Sequence, residues 1–273
     1  MQNTYAVVDD ERGFSFRNCR RNQNLISSGF KPPNVTKTGT TICGVIYKDG
    51  VVLGCDTRTT NGHIVWEKCC EKIYKIQENI HVAGAGTAAD MDAMVKLMRA
   101  NAEFHRLNTN RKIIPVSYLK TITSRMFFRY GGAISCHFII GGFDHKGPHI
   151  FIVHKEGSSM KLPYATMGSG GYIAMSIFES RWKPDLEEHE AKELVADAIT
   201  AGIVNDLGSG SNVDLCIIKK NSSEKIYAYR KIGVSGIKVL DYNIRRGTTG
   251  VDLKAIKKID VDIIEEKVVK MNI

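Results

Sequence analysis

Residues 37–44, KTGTTICG, mark the point where the chain changes character. The residues before Thr40 are rich in Asn, Arg, Ser and Gly, lack a helical or strand period, and end in KPPNVTKTG, where two prolines disfavour helix. From Thr40 onward, the β-branched and apolar segments TTICGVIYK and VVLGCDT are joined by DG, a strong two-residue hairpin signal. The sequence therefore predicts a non-helical leader over residues 1–39, followed by a fold that opens with a β-hairpin.

Length and composition indicate one large globular domain with tails. A chain of 273 residues with 43% hydrophobic and 25% charged residues can bury a substantial core. Apolar runs stay well short of the roughly 18 residues that a membrane span requires. The N-terminus carries Asp9, Asp10 and Glu11 and lacks the basic and apolar regions of a secretory signal. We expect a cytoplasmic and nuclear protein that does not contact a membrane.

The net charge of +9 is confined to the two ends of the chain. Six basic and three acidic side chains occur in residues 1–39, thirteen and seven in 219–273, and nineteen of each in between. Since nucleic-acid binders concentrate Lys, Arg and aromatic residues on one folded face, we expect tails that contact an acidic neighbour and no nucleic acid. The seven cysteines, including adjacent Cys69 and Cys70, lack metal-binding spacing and predict reduced, mostly buried thiols, with neither metal nor cofactor.

Downstream of the hairpin, strands and helices alternate in pairs. NIHVAGAG predicts a buried strand. The helix after it has the following residues near helical spacing: Ala89, Met91, Met94, Leu97, Met98 and Phe104. A second helix is predicted to start at Pro115. A strand pair (SCHFIIGGFD, PHIFIVHKEG), a strand ending in a glycine-rich loop (LPYATMGSGG), two helices and two closing strands follow. This order predicts an α+β fold whose strands are covered on both faces.

The junction between Gly39 and Thr40 predicts a nucleophile. A threonine hydroxyl needs a base at neutral pH, and the α-amine of a chain that begins with this threonine can serve. A cut between the two residues would create that amine, and glycine permits the tight turn that lets the hydroxyl reach its own preceding carbonyl. On GTT alone, a glycine that simply precedes a strand is the more frequent case by several times.

Two charged residues favour the catalytic interpretation. Asp56 ends the second strand of the hairpin, beside the start of the first, and Lys72 opens the next strand after EKCCEK. A lysine beside the threonine would favour ionisation of its hydroxyl, and an aspartate would keep that lysine charged and oriented. Either residue alone is typical of a solvated strand end, but with the Gly-Thr junction they predict a nucleophile, a cation and an orienting carboxylate.

Several motifs occur in the order of a known family: TGTTICGVIYKDGVVLGCDTR, GAGTAAD, MGSGG and AGIVNDLGSGSNVDLC. In these motifs the chain resembles the catalytic β subunits of the eukaryotic 20S proteasome, most closely the β2 type. The resemblance extends from about Lys37 to the C-terminus. The resemblance implies a four-layer αββα Ntn-hydrolase sandwich over residues 40–231, a pro-segment 1–39 and a C-terminal extension 232–273 that contacts a neighbouring subunit. It also implies α and β partners in a 28-subunit barrel of four seven-membered rings that degrades unfolded polypeptides.

The resemblance also assigns catalytic roles, with Thr40 as nucleophile after cleavage at Gly39 and with Asp56 and Lys72 as its carboxylate and lysine. Its supporting trio, which could hydrogen-bond the new amine, falls on Ser169, Asp206 and Ser209; each alone would be a turn residue among glycines. Gly86 would offer its backbone N–H to the developing oxyanion.

Substrate contacts are implied at the following residues: Thr59, Thr60, Cys70, Gly84, Ala88 and Asp92. The backbone around Thr60 and Ala88 would hold an extended peptide as an added strand. A preference for cleavage after basic residues follows from Gly84, whose missing side chain deepens the pocket, and from the Asp92 carboxylate. The alternative for Asp92 is an acid favoured by the helix dipole.

Asn61 and Tyr74 depart from the family pattern near the expected peptide channel, which bears on fine specificity.

Two alternatives remain open for the function. A non-catalytic ring subunit of the same fold would not need Thr40, Asp56 and Lys72 together. A monomeric amidase of the same fold is the other alternative.

Overall fold

The computed structural model describes residues 17–31, 38–232, 258, 260–262 and 265–266. The chain divides into two units, residues 1–234 and 235–273. Most of the predicted C-terminal extension and much of the predicted leader therefore lie outside the described residues.

The helices and strands follow the alternating order that the sequence predicts. The helices are α1 (Arg17–Ser27), α2 (Ala88–Thr109), α3 (Val116–Arg129), α4 (Gly171–Arg181) and α5 (Glu188–Asn205). The strands are β1 (Thr41–Tyr47), β2 (Gly50–Asp56), β3 (Thr59–Asn61), β4 (Ile64–Glu67), β5 (Ile73–Gln77), β6 (Ile80–Gly86), β7 (Cys136–Asp144), β8 (Gly147–Val153), β9 (Ser159–Lys161), β10 (Tyr164–Gly168), β11 (Asn212–Lys219) and β12 (Ser223–Lys231).

Two antiparallel five-stranded sheets form the centre of the domain. The first has the order β10-β1-β2-β11-β12 and the second the order β5-β6-β7-β8-β9, while β3 and β4 form a separate hairpin. A buried cluster that includes Ile42, Leu53 and Ile139 fills the space between the two sheets. Each such side chain stabilises the fold by about 1.5–3 kcal/mol when fully buried.

Helices cover the outer face of each sheet. Helices α2 and α3 bury Met98 and Phe127 against the second sheet, and α4 and α5 bury Phe178 and Ile199 against the first. Because β1 and β2 are covered on both faces, their sequences are continuous apolar runs without polar alternation. The predicted αββα sandwich is confirmed.

The β1–β2 hairpin is confirmed, but its turn lies one residue earlier than DG predicts. Tyr47 pairs with Gly50, so the loop residues are Lys48 and Asp49. Gly50 belongs to β2, where a Cβ atom would lie 2.1 Å from the carbonyl oxygen of Ile218. The glycine therefore serves the close approach of β11 to β2 and not the turn itself.

Helix α1 contradicts the prediction of a non-helical leader. The two prolines lie after the helix, at positions 32 and 33, so neither interrupts it. Gly29, with φ of 88°, ends the helix in a Schellman arrangement: its N–H donates to Ile26 O, and Phe30 N–H donates to Leu25 O, each at 2.9 Å. The polar composition concealed a helix that has a regular C-terminal cap.

Helix α2 confirms the predicted period only in its first half. Met91, Met94 and Met98 are buried as expected, but Ala89 at the start of the helix is exposed and Leu97 is only partly buried. Ala102 is the last buried residue of the helix. Phe104, predicted to lie on the same face, is exposed because the helix continues beyond the part that packs on the sheet. Within the described residues, helices of the length and apolarity that a membrane crossing needs do not occur.

All seven cysteines are free thiols in the described part of the chain. Four of them, Cys43, Cys55, Cys136 and Cys216, are buried, and burial raises the pKa of Cys136 to about 12. Cys19 and Cys69 are exposed, so the expectation of mostly buried thiols holds for the sheet residues and not for these two.

Candidate active site

The peptide bond between Gly39 and Thr40 is intact and lies at one end of the first sheet. Thr40 directly precedes β1, and the next residue, Thr41, pairs with Gly168 of β10. Asp56 is the last residue of β2, so the antiparallel pairing of β1 and β2 brings its carboxylate to the start of β1. Both Gly39 and Thr40 are buried.

The hydroxyl of Thr40 and the ammonium of Lys72 converge on the carbonyl oxygen of Gly39. Thr40 Oγ1 donates to Gly39 O at 2.7 Å. Lys72 Nζ lies 3.1 Å from Thr40 Oγ1 and 3.3 Å from Gly39 O, so one cation faces both the Thr40 hydroxyl and the carbonyl beside it. This arrangement can stabilise negative charge that develops on the carbonyl oxygen.

Asp56 orients Lys72 from a fully buried position. Its Oδ1 accepts Lys72 Nζ at 2.8 Å, and the two side chains are 0% and 5% exposed, respectively. Three backbone N–H groups complete its coordination, from Thr41 at 2.9 Å and from Arg58 and Gly210 at 3.1 Å. A buried ion pair is tolerated only when its remaining hydrogen-bonding capacity is satisfied, and this carboxylate meets that condition.

Ser169, Asp206 and Ser209 form a second hydrogen-bonded group on the other side of Thr40. Ser169 Oγ accepts the Thr40 backbone N–H at 3.0 Å and donates its own proton to Asp206 Oδ2 at 2.6 Å. Ser209 Oγ also donates to Asp206 Oδ2, at 2.7 Å. The trio that the resemblance implies is therefore assembled around the nitrogen of Thr40.

The environment of Asp206 favours its ionised form. Partial burial acts to raise the pKa of this carboxyl, but the hydroxyls of Ser169 and Ser209 and the N–H of Gly208 act in the opposite direction. The net result is a lowered pKa. The ionised carboxylate then accepts the protons of both serines, which fixes the Ser169 lone pair toward the nitrogen of Thr40.

Thr41 is a site residue that the sequence argument missed. Its side chain is completely buried, and its Oγ1 lies 2.7 Å from Ser209 Oγ. Because Ser209 donates to Asp206, the Thr41 hydroxyl is the donor in this contact. Together with its N–H bond to Asp56, this contact links the lysine side of the site to the serine side. Its signal in the sequence was the second threonine of GTT.

Close backbone contacts at glycines hold the junction in place. A Cβ atom at Gly39 would lie 2.2 Å from the Cα of Gly208. At Gly168, where φ is 92°, a Cβ atom would lie 2.0 Å from Thr40 O. Side chains at these positions would displace the residues around the Gly39–Thr40 bond.

A cavity of about 500 Å³ borders Thr40. Gly86, at the end of β6 with φ of 135°, lines this cavity together with Ser169, His137, His154 and Tyr172. Burial, followed by the charge of His154, lowers the pKa of His137 and favours its neutral form. Gly86 is a residue that the sequence predicts for the site, whereas neither histidine is predicted.

The predicted substrate residues are distributed around other parts of the site. Thr59 and Thr60 belong to β3, Ala88 is exposed at the start of α2, and the Cys70 N–H donates to Thr57 O at 2.9 Å. These residues, with Gly84 and Asp92, do not line the 500 Å³ cavity.

Gly84 and Asp92 have neighbours of their own. A Cβ atom at Gly84 would lie 2.9 Å from Met91 Sδ, so a larger residue would displace this flexible side chain. Asp92 Oδ2 accepts Lys96 Nζ at 2.7 Å, and the two side chains are 64% and 70% exposed. The Asp92 carboxylate is therefore accessible to solvent, with a lysine as its present partner. Among the described residues, groups of His, Cys, Asp and Glu positioned to hold a metal ion are absent.

The double sheet between two helical layers, with a threonine at one end of β1, defines the class of Ntn-hydrolase folds. The chain belongs to the proteasome subunit family, which it matches over residues 36–218. The predicted relation to the β subunits of the 20S core is confirmed by several relatives.

The chain is 47% identical over 244 residues to the probable proteasome subunit beta type-2 of Schizosaccharomyces pombe, covering 89% of this chain and 91% of the relative. It is 46% identical over 229 residues to proteasome subunit beta type-7-B of Arabidopsis thaliana, covering 84% and 83%. It is also 44% identical over 257 residues to proteasome subunit beta type-2 of Saccharomyces cerevisiae, covering 94% and 98%.

Proposed function

We propose that this chain is a threonine endopeptidase subunit of the 20S core that becomes active by cutting itself between Gly39 and Thr40. The observation that carries the proposal is the convergence of Thr40 Oγ1 and Lys72 Nζ on the Gly39 carbonyl oxygen, at 2.7 and 3.3 Å. A nucleophile and a cation that face the same peptide carbonyl are the components that acyl transfer requires.

The self-cleavage proceeds by transfer of an acyl group from nitrogen to oxygen. Thr40 Oγ1 attacks the Gly39 carbonyl carbon, and the Lys72 ammonium stabilises the negative charge on the carbonyl oxygen. The C–N bond then breaks, and the proton of the hydroxyl ends on the Thr40 nitrogen, which becomes an amine. Water hydrolyses the resulting ester, releasing Gly39 as a carboxylate and regenerating the Thr40 hydroxyl.

The new amine serves as the base in later turnovers. It is the same nitrogen that Ser169 Oγ contacts at 3.0 Å, and Asp206 holds that serine in place. The amine accepts the proton of Thr40 Oγ1 as this oxygen attacks a substrate carbonyl, and the proton passes to the leaving amine. Gly86, which borders the same cavity as Thr40, supplies a backbone N–H to the oxyanion.

The buried Asp56–Lys72 pair favours this function over a non-catalytic ring subunit. Removing two charges from water costs several kcal/mol per ion, and apolar residues of similar volume usually stabilise a core as well or better. A purely structural subunit would therefore gain nothing from the pair. Placing the cation 3.1 Å from Thr40 Oγ1 gives the pair a chemical role.

The relatives favour assembly with other proteasome subunits over a monomeric amidase. Those of Schizosaccharomyces pombe, Arabidopsis thaliana and Saccharomyces cerevisiae are all named as proteasome β subunits, and this chain aligns with 83–98% of their lengths. We propose that this chain occupies a β position in the 28-subunit barrel, and gel filtration of the native material distinguishes this from a monomer.

Mass spectrometry and labelling of the native assembly test the catalytic proposal. We expect a chain that begins at Thr40 and a covalent adduct on Thr40 after treatment with a threonine-directed electrophile. The Thr40→Ala variant should retain residues 1–39 and form no adduct at this position. Thr38→Ala is the matched control, since Thr38 is exposed beside the same junction, and it should behave as the unaltered chain. Active particles in which this chain keeps residues 1–39 would contradict the proposal.

For substrates, we propose cleavage after basic residues, with Asp92 as the acidic partner. Its surface ion pair with Lys96 contributes about 0–1 kcal/mol, so a substrate cation can replace Lys96. When only this site is active, peptides ending in Arg should be cut faster than those ending in Phe or Asp. Asp92→Asn should reduce this preference and Lys96→Gln should increase it. An unchanged ratio in both variants would exclude Asp92 as the specificity residue.

A further inference from the structure

Lys72 lies just before β5 and outside the regular strand. Its carbonyl oxygen accepts Gly84 N–H from β6 at 3.1 Å. Among the strands that the structure describes, β5 pairs on one side only, with β6, and so forms an edge of the second sheet. Contacts that hold the residues beside Lys72 can therefore influence the position of its ammonium.

Lys225 holds the residues on both sides of Lys72. It belongs to β12, which is the edge of the first sheet. Its ammonium forms an ion pair with Glu71 and donates to the Ile73 carbonyl oxygen at 2.8 Å. One side chain thus joins the edge strands of the two sheets at the point from which Lys72 extends.

The surroundings of Lys225 are partly closed to solvent, although its partner Glu71 is 48% exposed. Its side chain is 22% exposed, and with Glu71, Cys55 and Asp214 it lines a cavity of about 10 Å³, room for about one water molecule. Burial raises the pKa of Asp214, as does the charge of Glu71, and Lys225 acts in the opposite direction. The Lys225 ammonium is therefore the positive charge that accompanies two acidic residues, Glu71 and Asp214, in this partly buried group. Glu71 directly precedes Lys72 in the chain.

We propose that Lys225 is a positioning residue for catalysis, acting through Glu71 and Ile73 to fix the backbone of Lys72. The inference rests on the proposed function. Asp56 and Lys225 then have separate roles: Asp56 orients the Lys72 ammonium, and Lys225 fixes the chain segment that bears it. Without Lys225, the Lys72 ammonium would still form its ion pair with Asp56 but would sample a wider range of positions around Thr40 Oγ1.

The test uses assembled particles in which only this site is active, carrying Lys225→Met, Lys225→Arg or Glu71→Gln. Since a misplacement of about 1 Å can cost about 100-fold and Asp56 still orients Lys72, we expect Lys225→Met to lower kcat by about tenfold with KM changed less than about twofold. Lys225→Arg, which keeps the positive charge and the hydrogen-bond donors, should retain most of the kcat of the unaltered particle. Glu71→Gln should give an intermediate loss.

The matched control is Lys219→Met, which removes a lysine from β11 whose partner, Glu188 of α5, lies at 2.8 Å. This change should leave kcat and KM unaltered. A normal kcat for Lys225→Met would overturn the proposal. A kcat for Lys225→Arg as low as that of Lys225→Met would also overturn it. If Lys225→Met does not assemble, Glu71→Gln decides: a lower kcat at unchanged KM supports the proposal, and a normal kcat overturns it.

Labelling of Thr40 separates this inference from the proposed function. If the electrophile fails to label Thr40 in the unaltered particle, the proposed function itself fails. If it labels the unaltered and Lys225→Met particles at the same rate, only the positioning role is excluded.

Discussion

Replacing Gly39 by alanine tests whether the close contact at the junction is required for self-cleavage. The new Cβ would lie 2.2 Å from the Cα, 2.5 Å from the carbonyl carbon and 2.8 Å from the carbonyl oxygen of Gly208. These are backbone atoms, so a flexible side chain cannot move aside to make room. Because ordinary carbon contacts are about 3.5 Å or longer, one of the two backbones must shift by about 1.3 Å.

Such a shift moves the Gly39 carbonyl relative to Thr40 Oγ1 and Lys72 Nζ. A misplacement of about 1 Å costs about 100-fold in rate, equivalent to about 2.7 kcal/mol in activation free energy. We therefore expect Gly39→Ala to slow removal of residues 1–39 by about 100-fold. The time course of intact-chain masses after assembly measures this rate.

Two further variants sharpen the test. Gly208→Ala introduces the same conflict from the opposite side, with its Cβ 2.5 Å from Gly39 Cα, and should also slow the cleavage. A Gly39→Ala chain whose residues 1–39 are removed by another protease should regain normal peptidase activity, since alanine is then absent from the product. Cleavage of Gly39→Ala and Gly208→Ala at the unaltered rate would refute the reasoning.

Three other changes test the energetics around the site. Lys72→Met leaves the Asp56 carboxylate buried without its cation and should lower the free energy of unfolding by about 3 kcal/mol in urea titrations; a loss below about 1 kcal/mol would contradict this. Burial, then the charges of Lys225 and Lys75, lowers the pKa of His81 from 6.5 to about 4, although Glu78 acts to raise it. As pH falls, His81 is therefore protonated in the unfolded chain before it is protonated in the folded one. The free energy of unfolding present above pH 6.5 should decrease by up to about 3 kcal/mol toward pH 4. Unfolding of the unaltered chain and of His81→Gln at both pH values measures this, and the variant should lack the decrease. Gly202→Ala would bring a Cβ to 2.5 Å from Thr41 Oγ1, and calorimetry should show a destabilisation of about 1–3 kcal/mol; an unchanged melting temperature would show that Thr41 can move without cost.

Elements of the fold with a strong local pattern were predictable from the sequence. The β1–β2 hairpin, the start of α3 after Pro115 and the apolar strands of both sheets follow from turn residues, proline geometry and continuous hydrophobic runs. Helix α1 was missed because its composition is strongly polar and its side chains are exposed, so it lacks the apolar face of a helix that packs on a core. Phe104 was misplaced because spacing along a helix cannot indicate where the supporting sheet ends.

The candidate site was predictable only in part, because its contacts join distant segments. The residue types at Thr40, Asp56 and Lys72 indicated a nucleophile with a cation and a carboxylate, and the structure brings the three together. The contact of Gly39 with Gly208 joins residues far apart in the chain, and no local pattern encodes it. The contacts of Lys225 with Glu71 and Ile73 likewise join residues far apart in the chain, so no local pattern encodes them.

Ser169 Oγ contacts the Thr40 nitrogen while that nitrogen is still part of the peptide bond to Gly39. Under the proposed self-cleavage, the hydroxyl that contacts the future amine is therefore in place before that amine exists, and it already donates to Asp206 Oδ2 at 2.6 Å. Conversion to an amine changes the number of hydrogens on this nitrogen but need not change its neighbours. In the proposed mechanism, the conversion of precursor to enzyme is then a change of bonding within a hydrogen-bonded frame that is already formed around Thr40.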